Sequence, residues 1–130
     1  MHGKSLEENA MTISTARDVV DRYFSALRSK DFTTMRTLLD DNVSFIGPLG
    51  TTDGADEYIE AMKKVTANMT DVERHALFAE GEDVCQVYDL VTSTPSVSVP
   101  VVQWLKVREE RIAMVRLFFD PRPYLDPASS

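Results

Sequence analysis

The chain has 130 residues, of which 43% are hydrophobic and 27% charged, and its formal net charge is −7. That size suits one domain around a single core, and the balance is that of a chain that folds. The negative charge, with no Lys/Arg stripe interleaved with aromatics, excludes nucleic-acid binding and disfavours an anionic membrane surface; no apolar run reaches the ~18 residues a membrane helix needs.

Residues 1–13 open with a polar stretch lacking periodicity and are expected to form a disordered extension, which holds His2. The domain proper is expected over 14–125, with 126–130 as a tail. Thr15 and Asp18 resemble a capping box, after which Val19, Val20, Tyr23, Phe24 and Leu27 recur at helical spacing, predicting a first helix to about Ser29. Asp31 caps a second, shorter helix with Phe32, Met35, Leu38 and Leu39 on its apolar stripe. A short strand over 43–46 stops at the turn-forming Gly47-Pro48-Leu49-Gly50. Asp53 is the expected cap of a third helix, with Tyr58, Ile59, Met62 and Val65 on one face. From Asp71 the period becomes that of strands, predicted over 72–79, 84–93, 97–107 and 111–119 as an antiparallel meander. Such lengths exceed the usual ~5–6 residues and suit a strongly twisted, bent sheet. Pro100 lacks a donor and is expected at an edge or a bulge. Cys85 cannot form an internal disulfide and reads as a small buried hydrophobe. With no signal-peptide core, a reducing cytoplasm is the expected compartment.

Three N-terminal helices around a short strand, then four long antiparallel strands, is an order that resembles the SnoaL-like, nuclear transport factor 2-like and ketosteroid isomerase-like superfamily. The segment Val19-Val20-Asp21-Arg22-Tyr23-Phe24-Ser25-Ala26-Leu27 is similar to the family's opening helix. Asp31-Phe32, Leu38-Leu39-Asp40-Asp41-Asn42-Val43-Ser44-Phe45 and Arg116-Leu117-Phe118-Phe119-Asp120-Pro121 carry the likeness to the end of the last strand. The resemblance implies an α+β, cone-shaped, cystatin-like fold with three helices packed on a strongly curved antiparallel sheet. It implies no single activity, because the scaffold hosts isomerases, cyclases, hydrolases and proteins without known chemistry.

Ketosteroid isomerases use a general-base Asp, with a Tyr and a protonated Asp as oxyanion donors. Matched without gaps, Tyr23 falls on that Tyr, but Gly47 falls on the base and Val102 on the protonated Asp. The resemblance therefore argues against steroid isomerase activity by the family mechanism. SnoaL-like cyclases place an acid/base Asp on the inward row of the last strand, here Val115, Leu117 and Phe119. The Asp-Arg-Asp set of limonene-epoxide-hydrolase-like members finds no place on these strands.

Three residues are candidates for chemistry. Tyr23 is either a hydrogen-bond donor deep in a pocket or a helix-face Tyr buried for its area. His75 is the titratable group nearest neutrality, though Glu73 and Arg74 beside it suit an exposed strand position. Asp120 either faces the pocket with a raised pKa or caps a turn and pairs with Arg116 or Arg122. Asp89, between the inward Tyr88 and Leu90, is expected on the convex side. Phe45, Tyr58, Met62, Tyr88, Leu90, Trp104, Leu117 and Phe119 are the expected lining of a cavity for a small hydrophobic molecule, or else fill the core. Without HxH, HxxxH, CxxC or glycine-rich phosphate motifs, no metal and no cofactor is expected. Two functions stay open: an isomerase-, cyclase- or hydrolase-type enzyme on a hydrophobic ligand, and a non-catalytic binding or dimerisation module. A homodimer is expected through an apolar row on the convex face, taken to be Val97, Val99 and Val101.

Overall fold

Helical spacing of apolar residues sets the first element. In the computed structural model, which describes residues 6–125 with side chains from Thr15 onward, α1 runs Leu6–Ser29. It therefore starts nine residues before the expected capping box, inside the stretch read as an extension. The expected disorder of residues 1–5 and the tail 126–130 lie outside the described residues. Ala16, Val19, Val20, Tyr23, Phe24, Ala26 and Leu27 form the buried stripe. Asp31 caps α2 (Phe32–Thr37) as expected, accepting from the Thr34 amide at 3.1 Å. The cap of α3 (Ala55–Thr66) is Gly54, with no side-chain bond, and not Asp53, which ends a strand. Its buried face is Tyr58, Ile59, Met62 and Thr66, while Val65 turns to solvent. A one-turn helix, α4 (Arg122–Leu125), follows the sheet, and no described helix is long and apolar enough to cross a membrane.

Six strands form one curved, unclosed sheet in the order β2-β1-β6-β5-β4-β3. β1 (Leu39–Gly47) is twice the expected length and folds back through Pro48-Leu49 onto β2 (Gly50–Asp53), a strand not expected from the sequence. Four residues without a hydrophobic alternation carry no strand signal of their own; the hairpin partner supplies it. β1 pairs parallel to β6 (Arg111–Phe118), so the sheet is mixed rather than wholly antiparallel. β3 (Met69–Glu80), β4 (Asp83–Ser93), β5 (Ser96–Arg108) and β6 make the expected antiparallel meander. Pro100 opposes Asp89 of β4 in an unbroken register, and β6 pairs with β5 only from Val102 onward. The proline thus occupies a local edge, where its missing donor costs little.

The bulge falls elsewhere, at His75. Arg74 opposes Tyr88 and Ala76 opposes Val87, leaving His75 as the extra residue. One added residue inverts the alternation beyond it. Val72 and Arg74 before the bulge share the inner face with Leu77 and Ala79 after it, and Phe78 is sent outward, 64% exposed. The core lies between the helices and the concave face of the sheet, where Val84, Tyr88, Val101, Leu105, Ile112 and Val115 meet α1 and α3.

Val97, Val99 and Val101 oppose Thr92, Leu90 and Tyr88, so this row faces inward, and Val99 and Val101 are core residues. The convex row of β5 is the alternate set Pro100, Val102 and Trp104. Trp104 stands beside Cys85 and Arg116 on that outer face, its indole N–H donating to Asp83 at 2.9 Å. It does not line the interior. Cys85 is half-buried there rather than in the core.

Candidate functional site

Polar residues inside an apolar cone need a partner for every hydrogen-bonding group. Two strand positions break the inward apolar rows: Gln86 lies between Val84 and Tyr88 on β4, and Gln103 between Val101 and Leu105 on β5. They oppose each other across the ladder, both are essentially fully buried, and the Gln86 Nε2 donates to Gln103 Oε1 at 2.7 Å. At one end Arg74 Nη1 lies 3.4 Å from Gln86 Oε1 and 2.7 Å from Asp21 Oδ1 on α1. At the other the Gln103 side chain stands beside the Tyr23 hydroxyl, near enough to lower its pKa. Tyr23 in turn hydrogen-bonds Tyr58 on α3, and its hydroxyl is 3.9 Å from Met62 Sδ. One polar chain thus runs from a surface ion pair to a pair of phenols at the centre.

Burial pushes the Tyr23 phenol above its ordinary value, while the hydrogen bonds from Tyr58 and Gln103 pull the other way. Tyr58 is raised further, by burial first and then by Tyr23 beside it. Burial likewise raises Tyr88, which packs edge-on against Phe24 with ring centroids 5.7 Å apart. All three are neutral donors at any physiological pH.

The residues expected to line a pocket divide. Tyr58, Met62, Tyr88 and Leu90 are buried on the inner side, and Phe45, Leu117 and Phe119 are half-buried against the same core. Phe45 packs on Tyr58 at 5.3 Å, and Phe119 meets Tyr124 of α4 at 6.0 Å. Trp104 alone is on the other face.

The other two candidates for chemistry stand apart from the phenols. His75 is exposed at the bulge, its Nε2 2.9 Å from Asp89 Oδ2, and that carboxylate raises the imidazole above its ordinary value. Asp120 is exposed and grips Arg122, accepting from its backbone N–H at 3.0 Å and from Nη2 at 2.6 Å. This pairing holds its carboxyl below the usual carboxylate range, the opposite of a pocket acid. Among the described residues, no carboxylate reaches the tyrosines.

The position matched to a general base explains why. A side chain on Gly47 would meet the tip of the Phe45 ring at 2.8 Å and Leu117 Cβ at 3.5 Å, so an aromatic ring fills that space. Val102, on which the ungapped match puts the protonated Asp, is on the convex face, and the neighbour of Tyr23 on that strand is Gln103. The two glutamines escape a purely linear reading. Their signal is a single amide breaking an otherwise apolar inward row, and it becomes visible only once the strand faces are known.

The convex face carries its own feature. Phe78, Val102 and Phe118 are exposed there beside Cys85 and Trp104, around an open cleft of about 520 Å³.

A model of the SnoaL-like domain matches residues 20–115. Among solved structures, an NTF2-like protein of unknown function from Cytophaga hutchinsonii is 28% identical with a TM-score of 0.76, over 85% of this chain and 95% of that one. A protein from Kribbella flavida is 25% identical with a TM-score of 0.77, over 82% and 88%. An LEH-like epoxide hydrolase from M. tuberculosis, at 21% identity and a TM-score of 0.74 over 85% and 86%, shares the fold. A search among curated proteins finds no match.

Proposed function

Since the chain belongs to the SnoaL-like domain family, we propose that the concave side of its sheet receives a small, largely apolar molecule through a single polar contact at the Tyr23–Tyr58 pair. The observation that carries this reading is the buried chain Arg74–Gln86–Gln103–Tyr23–Tyr58 ending among apolar rings. A core needs no such array, since replacing buried polar groups by well-packed apolar ones is often neutral or stabilising. Phe45, Leu117 and Phe119, half-buried toward one end of the cone, form the entrance, and Tyr58, Met62, Tyr88 and Leu90 the inner wall. The protein is a binder that polarises an oxygen without moving a proton from carbon. With Gly47 at the base position and Phe45 in its space, the general-base contribution of roughly 10²–10⁴ in rate is missing.

Thermal-shift screening against steroids, terpenoids and aromatic polyketides tests the proposal. At least one class raises the melting temperature, and Tyr23→Phe weakens that ligand by roughly 5–30-fold, the value of one buried hydrogen bond. An unchanged affinity in Tyr23→Phe, or no response to any class, overturns it.

A second reading concerns assembly. Phe78, Val102 and Phe118 expose 64%, 37% and 51% of their surface on one side of the sheet. Adjacent exposed apolar side chains of this size mark an interaction surface, and burying what each still exposes is worth roughly 0.5–2 kcal/mol. A homodimer formed by two convex faces accounts for them, and it leaves the concave side of each copy free for ligand.

A further inference from the structure

An arginine has five N–H donors and no acceptor. Because Arg74 Nη1 faces the Gln86 side chain at 3.4 Å, the Gln86 oxygen must be the atom turned to it. The Gln86 nitrogen then points at Gln103, whose Oε1 it meets at 2.7 Å. Gln103 has only N–H left for Tyr23. Reversing either amide would set N–H against N–H or oxygen against oxygen in a fully buried site, so the chain has one direction.

The direction determines what remains at its inner end. Tyr23 and Tyr58 together hold two O–H protons and share one hydrogen bond. Whichever of them donates, one phenolic proton is left over. Gln103 adds a further N–H from its side and takes no proton from the pair. Beyond Tyr58, the acceptor that Tyr23 meets among the described residues is the Met62 sulfur at 3.9 Å, which is a weak one. The phenol pair therefore carries a surplus donor.

We infer that Arg74, held by Asp21, is a positioning residue that sets the hydrogen-bond polarity of the Gln86–Gln103–Tyr23–Tyr58 chain, so that the interior selects a ligand oxygen that accepts hydrogen bonds, as a ketone or an aldehyde does. The statement about ligand rests on the pocket proposed above; the polarity of the chain does not.

Two measurements separate these. The first follows the side-chain amide resonances of Gln86 and Gln103 by NMR in the full chain without ligand. Nuclear Overhauser contacts run from the Gln103 Nε2 protons to the Tyr23 ring. In Gln86→Glu a carboxylate accepts from both Arg74 and Gln103, so the Gln103 amide turns over and these contacts are lost. Arg74→Met weakens them at least twofold, and Arg74→Lys, still a pure donor, restores them. Wild-type contacts that run from the Gln103 amide protons to Gln86 instead, or contacts unchanged in Gln86→Glu, overturn the inference even where Arg74→Met fails to fold. The second compares 2-acetylnaphthalene with 2-ethylnaphthalene by calorimetry. The ketone binds at least fivefold more tightly to the wild type, and the difference disappears in Gln86→Glu. Equal affinities overturn the selection of an acceptor, and binding of neither probe counts against the pocket while leaving the NMR result standing.

Discussion

Tyr23 sits on an ordinary helical stripe between Val20 and Leu27, and nothing in its spacing separates it from its neighbours. Its chemistry comes from what the sheet brings to it: the Gln103 amide, Tyr58 and Met62. Gly47 works the other way, since its missing side chain leaves room for the tip of the Phe45 ring. His75, the one histidine among the described residues, is engaged with Asp89 on the convex side, with Glu73 adding a second negative charge nearby. Its folded pKa is raised above the unfolded 6.5, so the pair's stabilisation is fully present below about pH 6.5 and is lost as pH rises through the folded value. Denaturant midpoints measured between pH 5.5 and 8.5 are expected to fall in that window for the wild type and to flatten in His75→Gln. Equal slopes in the two proteins would show that the contact contributes nothing.

At the scale of the elements, the bulge in β3 decides more than any other local feature. Without it Phe78 would face the core and Leu77 the outside, because strand side chains alternate with a period of two. With it, Leu77 packs on the core and Phe78 is 64% exposed. Two aspartates one residue apart should therefore behave very differently. Leu77→Asp is expected to cost roughly 2–4 kcal/mol by placing a carboxylate against the core, and Phe78→Asp less than about 1 kcal/mol. Urea unfolding of the two variants checks the order, and a reversed ranking would mean that the strand is in regular register. The ladder is also irregular in β1 between Leu39 and Ser44, in β3 between Met69 and Asp71 and in β5 at Lys106/Val107, and such irregularities locally increase twist and bend a strand.

For the molecule as a whole, the two faces of the sheet have separate uses. The concave face holds the core and the polar chain. The convex face leaves Phe78, Val102 and Phe118 uncovered in one protomer. Light scattering at micromolar concentration is expected to report twice the 14.6 kDa chain mass, and Phe118→Glu, which puts one carboxylate from each copy into the apolar contact, to shift it to the monomer. A monomeric wild type would rule out this pairing. The separation also predicts that Phe118→Glu leaves ligand affinity within about twofold, since no residue of the polar chain lies on that side.

By itself the sequence determined the type and order of the long elements, three helices and the four strands of the meander, because those signals are local: the stripe of α1, the Asp31 cap, the alternation of β4 and β5. It also carried the fold, through the order of elements and the opening-helix and last-strand segments. It could not decide which residues meet, since that depends on register between strands far apart in the chain. A bulge of one residue, the inward place of Gln103 opposite Gln86, and a row of valines expected on the convex face but found inside all come from that single cause. The parallel β1–β6 pair and the β1–β2 hairpin have the same origin, for short strands take their pairing from neighbours rather than from their own residues. The polar chain from Asp21 to Tyr58 joins two helices and three strands, and only the tertiary structure assembles it.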